Sequence, residues 1–237
     1  MKHHIWSSLL ILFSIVCCTG CFDIEENAVV NKDGSGKFSF IINMEQFKSM
    51  MSLFGDTDKI FKEDPKKKNQ DKQFGTSIEK TRRKLLNIPG VSNVKVIEDS
   101  VNYRFGIAFD YNSILTLNKA MNKLFEDDTA TVTTEKKYVE WKDNTLIRYD
   151  LVDSKSLLGQ TGGIAGDKKE NPLFDAEKLF AKVSYSTKYT FEQPVKPDNP
   201  QSKLSPDMKT VSITCYPFAA KDSTMAPCTI ANTITLP

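Results

Sequence analysis

The sequence predicts an α+β fold, in which a largely antiparallel sheet built from successive β-hairpins packs against interspersed helices. Apolar and polar residues alternate in several short stretches, which is the pattern of half-buried strands. Glycine, asparagine and aspartate lie between these stretches, where hairpin turns require them. Other stretches repeat apolar residues at helical spacing. Hairpins with helices between them are typical of α+β domains.

The first hairpin is predicted around residue 34. A short strand over residues 27–31 leads into a turn over residues 32–36, where Gly34 and Gly36 can adopt positive φ angles. The strand after the turn places apolar side chains on one face, namely Phe38, Phe40, Ile42 and Met44. A short helix over residues 45–54 is predicted to follow, because its apolar residues recur at helical spacing.

A second hairpin and helix are predicted over residues 94–125. Val94 and Val96 lead through a turn at Asp99 and Ser100 into a long strand over residues 101–109. One face of that strand carries Val101, Tyr103, Phe105, Ile107 and Phe109. The helix over residues 113–125 has an apolar stripe of Ile114, Leu117, Met121 and Leu124. This recurrence of hairpin and helix is either a duplication or one common supersecondary pattern used twice.

The rest of the chain predicts a third hairpin, a helix and three later strands. The hairpin turns at residues 142–144, with Tyr138 and Trp141 before the turn and Leu146, Ile147, Tyr149 and Leu151 after it. A helix is predicted over residues 172–182. Clean alternation predicts a strand over residues 183–191, and further strands are predicted near residues 210–216 and 228–236.

The first 21 residues have the composition of a secretory targeting segment. Lys2 supplies a positive start, residues 5–16 form a short apolar run, and Thr19 and Gly20 place two small residues before Cys21. The run has 12 residues, whereas a membrane-spanning helix needs about 20. The segment therefore resembles the signal peptide of a bacterial lipoprotein, which is cut before a cysteine that carries fatty acyl chains. That resemblance divides the chain into a signal peptide, residues 1–20, and one α+β envelope domain, residues 21–237.

Two observations bear on how this segment is processed and where the product resides. Cys18 stands three residues before Cys21, where lipoproteins usually have leucine, and the alternative is an ordinary signal peptide that leaves Cys21 as a plain thiol. Phe22 is not the aspartate of the usual inner-membrane retention signal. Three nearby acids, Asp23, Glu25 and Glu26, resemble the tails that direct some lipoproteins to the surface, or they simply keep a tether solvated. We expect a lipid-anchored protein of the cell envelope, at the periplasmic face or outer surface of the outer membrane.

The cysteines are consistent with an oxidising compartment. Cys17 and Cys18 leave with the signal and Cys21 is acylated, so Cys215 and Cys228 remain as an even pair. They lie 13 residues apart in what is predicted to be a final hairpin, and a disulfide between them would stabilise the fold by about 3 kcal/mol. The alternative is two buried thiols.

Histidine is absent from the predicted mature chain, because His3 and His4 both lie in the signal. Catalytic triads and histidine-containing zinc sites are thereby excluded. A carboxylate-dependent hydrolase remains the alternative enzyme class, but no spacing of acids selects it. We therefore predict a protein that is not an enzyme and has no cofactor and no metal. The mature net charge, near +1 because the signal contains one lysine and no acid, gives no indication of nucleic acid binding.

Two inserts are predicted to be exposed and mobile. Residues 55–73 are rich in charge and residues 154–171 hold four glycines, so neither can bury a core. The lysine run at residues 66–68 could contact anionic lipid, although nearby acids favour a solvated loop.

The mature part resembles the LppM-type lipoprotein domain. The resemblance depends on the acylated cysteine before a strand, the turn over residues 33–36, the strand over residues 185–194 and the turn over residues 205–210. It implies an α+β, partly barrel-like envelope domain with lipid or glycolipid binding in some members, and it supplies no catalytic motif.

Together these features predict a non-enzymatic protein tethered to a membrane by N-terminal acyl chains. It would bind a lipid, another apolar ligand or an envelope protein through the aromatic sheet face or a groove beside it. The alternative is that the aromatic residues of this face are all core, which is the usual fate of such stripes, and that an unmarked surface serves envelope assembly. These residues are Phe38, Phe40, Tyr103, Phe105, Phe109, Tyr185 and Tyr189.

Overall fold

A computed structural model describes residues 23–45, 78–99, 101–126, 135–150, 183–217 and 229–237. In chain order the elements are β1 (Asp23–Val30), β2 (Gly36–Asn43), α1 (78–86), β3 (Val91–Asp99), β4 (Arg104–Tyr111), α2 (Ile114–Leu124), β5 (Val139–Lys142), β6 (Thr145–Arg148), β7 (Ser184–Phe191), β8 (Lys196–Pro197), β9 (Lys203–Leu204), β10 (Thr210–Cys215) and β11 (Asn232–Thr235). The predicted α+β class is confirmed, and the fold is mostly sheet.

The larger sheet has seven strands in the order β3-β4-β2-β1-β7-β10-β9. Every pairing in it is antiparallel except that of β1 with β7, which is parallel. β1 is therefore an interior strand, hydrogen-bonded along its whole length to β2 on one side and to β7 on the other. It begins at Asp23, four residues before the predicted strand start at Asn27.

A second sheet has four strands in the order β5-β6-β11-β8. The predicted hairpin at residues 142–144 is confirmed, and its turn residues Asp143 and Asn144 have φ angles of 48° and 57°. The predicted final hairpin is wrong, because β10 belongs to the larger sheet and β11 pairs with β6 and β8. Alternation identified both strands but carried no information about which sheet each one joins.

The helix α2 confirms the predicted helix over residues 113–125. Ser113 is its N-cap, and the Ser113 hydroxyl oxygen accepts a hydrogen bond from the backbone N–H of Thr116 at 3.2 Å. Leu117 and Met121 are fully buried. The remaining helices predicted over residues 45–54 and 172–182 lie outside the described residues, apart from Glu45, and so do both predicted inserts.

The long strand predicted over residues 101–109 is wrong at its start, because β4 begins at Arg104. The Asp99 carboxylate accepts hydrogen bonds from the backbone N–H groups of Val101 and Asn102, at 3.1 and 2.9 Å, and holds residues 101–103 in a turn. Tyr103 has a φ angle of 52°, outside the range of a strand. The alternation of side chains predicts a strand here, but local hydrogen bonds between a side chain and the backbone form a turn instead.

The core lies on one face of the larger sheet, between that sheet, the helices and the second sheet. Phe38 packs on Phe109, Phe40 on Phe125 and Phe125 on Tyr138, with ring centroids 5.2–5.5 Å apart. The buried aromatic residues of the predicted binding face are Phe38, Phe40, Phe109, Tyr185 and Tyr189. The expectation that this face binds an apolar ligand is therefore wrong for these side chains, since they fill the interior.

Candidate functional site

A groove of about 610 Å³ lies on the larger sheet, on the face turned away from the core. Four central strands and β3 form it, because side chains alternate between the two faces of each strand. One cross-strand row of the groove runs Lys95, Ala108, Ser39, Asn27 and Lys188. The next row runs Asp110, Lys37, Val29 and Thr190. The side chains of these two rows are mostly polar, with amide, hydroxyl, carboxyl and ammonium groups beside the apolar Ala108 and Val29.

Positive charge dominates this groove. Lys37, Lys95 and Lys188 are exposed, and none of the three forms an ion pair with another described residue. The one carboxylate of the lining, Asp110, accepts a hydrogen bond from the Asn93 side chain at 2.7 Å. Asn93 reaches that carboxylate from an irregularity in β3, where the register shifts between Ser92 and Lys95.

The spacing of the lysines favours an extended ligand over a single small ion. Lys37 is on β2, and Lys95 and Lys188 are each two strands away, on β3 and β7. Neighbouring strands lie about 4.8 Å apart, so the backbone of Lys37 is about 10 Å from that of each other lysine across the sheet, and Lys95 and Lys188 are about 19 Å apart. Ser39, Asn27 and Thr190 between them offer hydrogen-bonding groups. The arrangement can hold a molecule with several hydroxyl groups and more than one anionic group.

A second polar site is buried between the two sheets. The Glu26 carboxylate on β1 accepts hydrogen bonds from Arg148 Nε and Nη2, at 2.9 and 2.8 Å. It also accepts bonds from the hydroxyl groups of Tyr189 and Tyr185, at 2.6 and 2.8 Å. Glu26 is 0% exposed and Arg148 is 2% exposed. All four donors converge on one carboxylate in the dry interior, so this network joins β1 of the larger sheet to β6 of the second.

Electrostatics keep this carboxylate ionised. Burial alone would raise the pKa of Glu26, but the charge and hydrogen bonds of Arg148, together with the bonds from Tyr189 and Tyr185, hold the pKa below its ordinary value. Burial and the Glu26 charge raise the pKa of both tyrosines well above the ordinary value, so both stay protonated and donate. The network is a fully satisfied ion pair.

The burial of Glu26 corrects the interpretation of the acidic N-terminal segment. Asp23, Glu25 and Glu26 are residues of β1 and neither a sorting tail nor a solvated tether. Glu25 pairs with Arg104 at 3.3 Å on the outer face. A signal for the buried site was present, since Ile24, Ala28 and Val30 alternate with polar residues and Glu26 falls in their register. Its partner Arg148 is brought close only by the tertiary fold.

Of the three cysteines predicted as site residues, one lies within the described part of the chain. Cys21 and Cys228 lie outside the described residues. Cys215 is buried at the end of β10 and takes part in a disulfide, and its pairing with Cys228 stays a prediction. Among the described residues, no three histidine, cysteine, aspartate or glutamate side chains cluster to hold a metal ion. In the same part of the chain, neither helix has the length and apolar content needed to cross a membrane.

Comparison with known proteins gives one structural likeness. Neither a family model nor a curated protein matches this chain. Its structure is similar to the NMR structure of the folded domain of Mycobacterium tuberculosis LppM, with a TM-score of 0.43 and 11% sequence identity. The match covers 91% of this chain and 89% of the LppM domain.

Proposed function

We propose that this chain is a non-enzymatic lipoprotein of the cell envelope, anchored by acyl chains on Cys21, with the sheet groove as its ligand contact. The main support for acylation at Cys21 is the position of this residue relative to the first strand of the fold. β1 begins at Asp23, two residues after Cys21. Cleavage before Cys21 would therefore leave every described element intact, with the acyl chains next to the folded domain.

The groove favours an anionic ligand that carries hydroxyl groups. Three lysines and a set of amide and hydroxyl side chains line it beside Ala108 and Val29, and the aromatic side chains of Phe38 and Phe109 are buried in the core. The chemistry fits a polyol phosphate or an acidic carbohydrate, either free or as the headgroup of an envelope lipid. A paired-carboxylate hydrolase receives no support from this groove, because its lining contains one carboxylate and that mechanism needs two.

The anchor is tested by changing the cysteine. In the full-length precursor expressed in a bacterium, Cys21→Ala should move the protein from the membrane fraction to the soluble or precursor form. Cys18→Leu is the matched control, since it changes another cysteine of the signal and should leave the protein in the membrane. Equal membrane retention of the Cys21→Ala and wild-type proteins, with normal signal cleavage, would refute the anchor.

The groove is tested with the mature acylated protein in phosphatidylcholine nanodiscs. Titration with a glycerol phosphate oligomer should shift the amide NMR signals of Asn27 and Lys188. Lys188→Ala should weaken binding about 10-fold, the value of one charge-assisted hydrogen bond. Lys119→Ala is the matched control, since Lys119 is an exposed lysine on α2 away from the groove.

Two arms of this experiment separate the sources of the ligand. Nanodiscs that also contain phosphatidylglycerol present the same glycerol phosphate group as a lipid headgroup. Shifts with those discs alone would assign a lipid, and shifts with the free oligomer alone would assign a soluble polymer. Equal affinity in the Lys188→Ala and Lys119→Ala variants would refute the groove as the contact.

A further inference from the structure

The strand directions place one end of the larger sheet beside the anchor. A single cross-strand row marks this end, and it contains Asp99, Arg104, Asn43, Asp23 and Ser184. Here β1 and β7 begin and β2 and β3 end. We call this end, from the row to the turn at residues 101–103, the anchor edge.

Covalent geometry keeps the anchor close to that edge. Two residues of extended chain span at most about 7 Å, so the Cα atom of Cys21 lies within that distance of the Cα atom of Asp23. Asp23 itself is fixed by its pairing with Asn43 on one side and with Ser184 on the other. Moving the domain away from the anchor would require β1 to leave both neighbouring strands.

The turn at residues 101–103 extends beyond the same row. Arg104 lies in the row two strands from Asp23, about 10 Å across the sheet. The turn comes before Arg104 in the chain and so projects past Asp23, on the side where the anchor leaves the domain. Val101 in this turn is 73% exposed, the highest value among the exposed large apolar side chains of the described residues.

We propose that the anchor edge lies on the bilayer, with Val101 in the interfacial region and Arg104 at the level of the headgroups. The proposal depends on the acylation of Cys21 proposed above. The charges at the edge are mixed, since Asp23, Glu45 and Asp99 accompany Arg104, so the short tether and the exposed Val101 side chain determine the contact. The groove row at Asn27 stands four residues along β1, about 13 Å above the edge, clear of the anchor itself.

Lipid quenching tests this orientation in the mature acylated protein. Val101→Cys, Met208→Cys and Leu115→Cys are labelled with bimane and reconstituted in phosphatidylcholine vesicles with or without a lipid spin-labelled near the headgroup. Met208 and Leu115 are matched controls, because they are exposed apolar residues that are 48% and 66% accessible. Both lie toward the opposite end of the larger sheet, Met208 in the turn before β10 and Leu115 just after β4.

The bimane at position 101 should be quenched by at least about half, and the two control positions should be unaffected. Such a loss requires the probe to reach the depth of the spin label, which only the membrane-facing end of the domain can do. Equal quenching at all three positions, or stronger quenching at position 115 or 208, would overturn the proposed orientation. Mass spectrometry of the same samples separates the two proposals: acyl chains on Cys21 with an unquenched position 101 refute the orientation alone, and absent acyl chains refute the anchor.

Discussion

Replacing Glu26 by glutamine should destabilise the fold far more than the same change at the adjacent residue. Glu26→Gln preserves size but removes the negative charge that Arg148 faces in the interior. One carboxylate oxygen also becomes an NH₂ group, which meets an Arg148 N–H and a tyrosine hydroxyl that were donating to it. The variant therefore leaves the charge of Arg148 uncompensated in the interior, together with two hydrogen-bond donors that have lost their acceptor.

The expected cost follows from the burial of both partners. Breaking a buried ion pair by removing one charge costs about 3–5 kcal/mol. Glu25→Gln is the matched control, since Glu25 lies on the opposite face of β1 and its ion pair with Arg104 has side chains that are 29% and 40% exposed. Exposed pairs of this kind contribute at most about 1 kcal/mol.

Urea unfolding followed by circular dichroism measures this difference. With a slope near 2 kcal/mol per molar, Glu26→Gln should lower the unfolding midpoint by about 2 M, whereas Glu25→Gln should change it little. Combining Glu26→Gln with Arg148→Met removes the orphaned cation, so the double variant should be more stable than Glu26→Gln alone. Equal midpoints for Glu25→Gln and Glu26→Gln would refute the role assigned to the buried pair.

The lowered pKa of Glu26 determines the direction in which the stability of the fold changes with pH. Because the folded state lowers the pKa of Glu26, its contribution is fully present above the ordinary carboxyl pKa of 4.5 and is lost as the pH falls through the folded value. Wild-type stability should therefore fall on acidification below about pH 4.5. The Glu26→Gln variant should show a shallower fall, and an identical fall would show that other carboxylates determine the acid limit.

Three further changes test packing, side-chain bridging and the disulfide. Gly36→Ala should cost at least about 2 kcal/mol, because the added Cβ would lie 1.9 Å from the carbonyl oxygen of Val29, and thermal unfolding measures the loss. Asn118→Ala should cost about 1–3 kcal/mol, because the Asn118 side chain accepts two backbone N–H bonds and donates to one carbonyl at the start of β5. Reducing the predicted Cys215–Cys228 disulfide should lower the free energy of unfolding by about 3 kcal/mol, measured by urea unfolding with and without reductant.

Each of these changes has its own control. Gly34→Ala tests a positive φ of 78°, where the new methyl group would make only an ordinary van der Waals contact, 3.7 Å from Ile114 Cγ1, and it should cost about 1 kcal/mol. Asn122→Ala removes bonds to Lys136 at a more exposed site, so it should cost less than Asn118→Ala. Cys228→Ser should reproduce the effect of reductant, and full stability of that variant would contradict the pairing. Equal losses for the two glycine variants, or for the two asparagine variants, would contradict the contacts assigned to Gly36 and Asn118.

The elements that follow period-two or helical patterns could be predicted from the sequence. The strand with Phe38 and Phe40, the capped helix after Ser113 and the alternation up to Phe191 are all signalled locally, because one face of each is buried. The start of β4 could not be predicted in this way. Val101 and Tyr103 satisfy the alternation, and only the bond geometry of Asp99 shows that they form a turn.

The candidate sites depend on pairings that a linear sequence does not display. Lys188 joins the groove because β7 runs parallel to β1, a pairing between segments more than 150 residues apart. Glu26 could have been flagged by its place among Ile24, Ala28 and Val30, but Arg148 could not have been assigned to it. The predicted aromatic binding face was sound as a strand pattern. Its interpretation as a ligand-binding site was wrong, because that face of the larger sheet packs against the core.

The anchor on Cys21 is the claim on which localisation and orientation both depend. Intact-mass spectrometry of the mature protein, purified from bacterial membranes, measures it directly. We predict a chain that begins at Cys21 with the added mass of a diacylglycerol group on its sulfur. A mature N-terminus at any other residue, or a mass equal to that of the unmodified polypeptide, would contradict it.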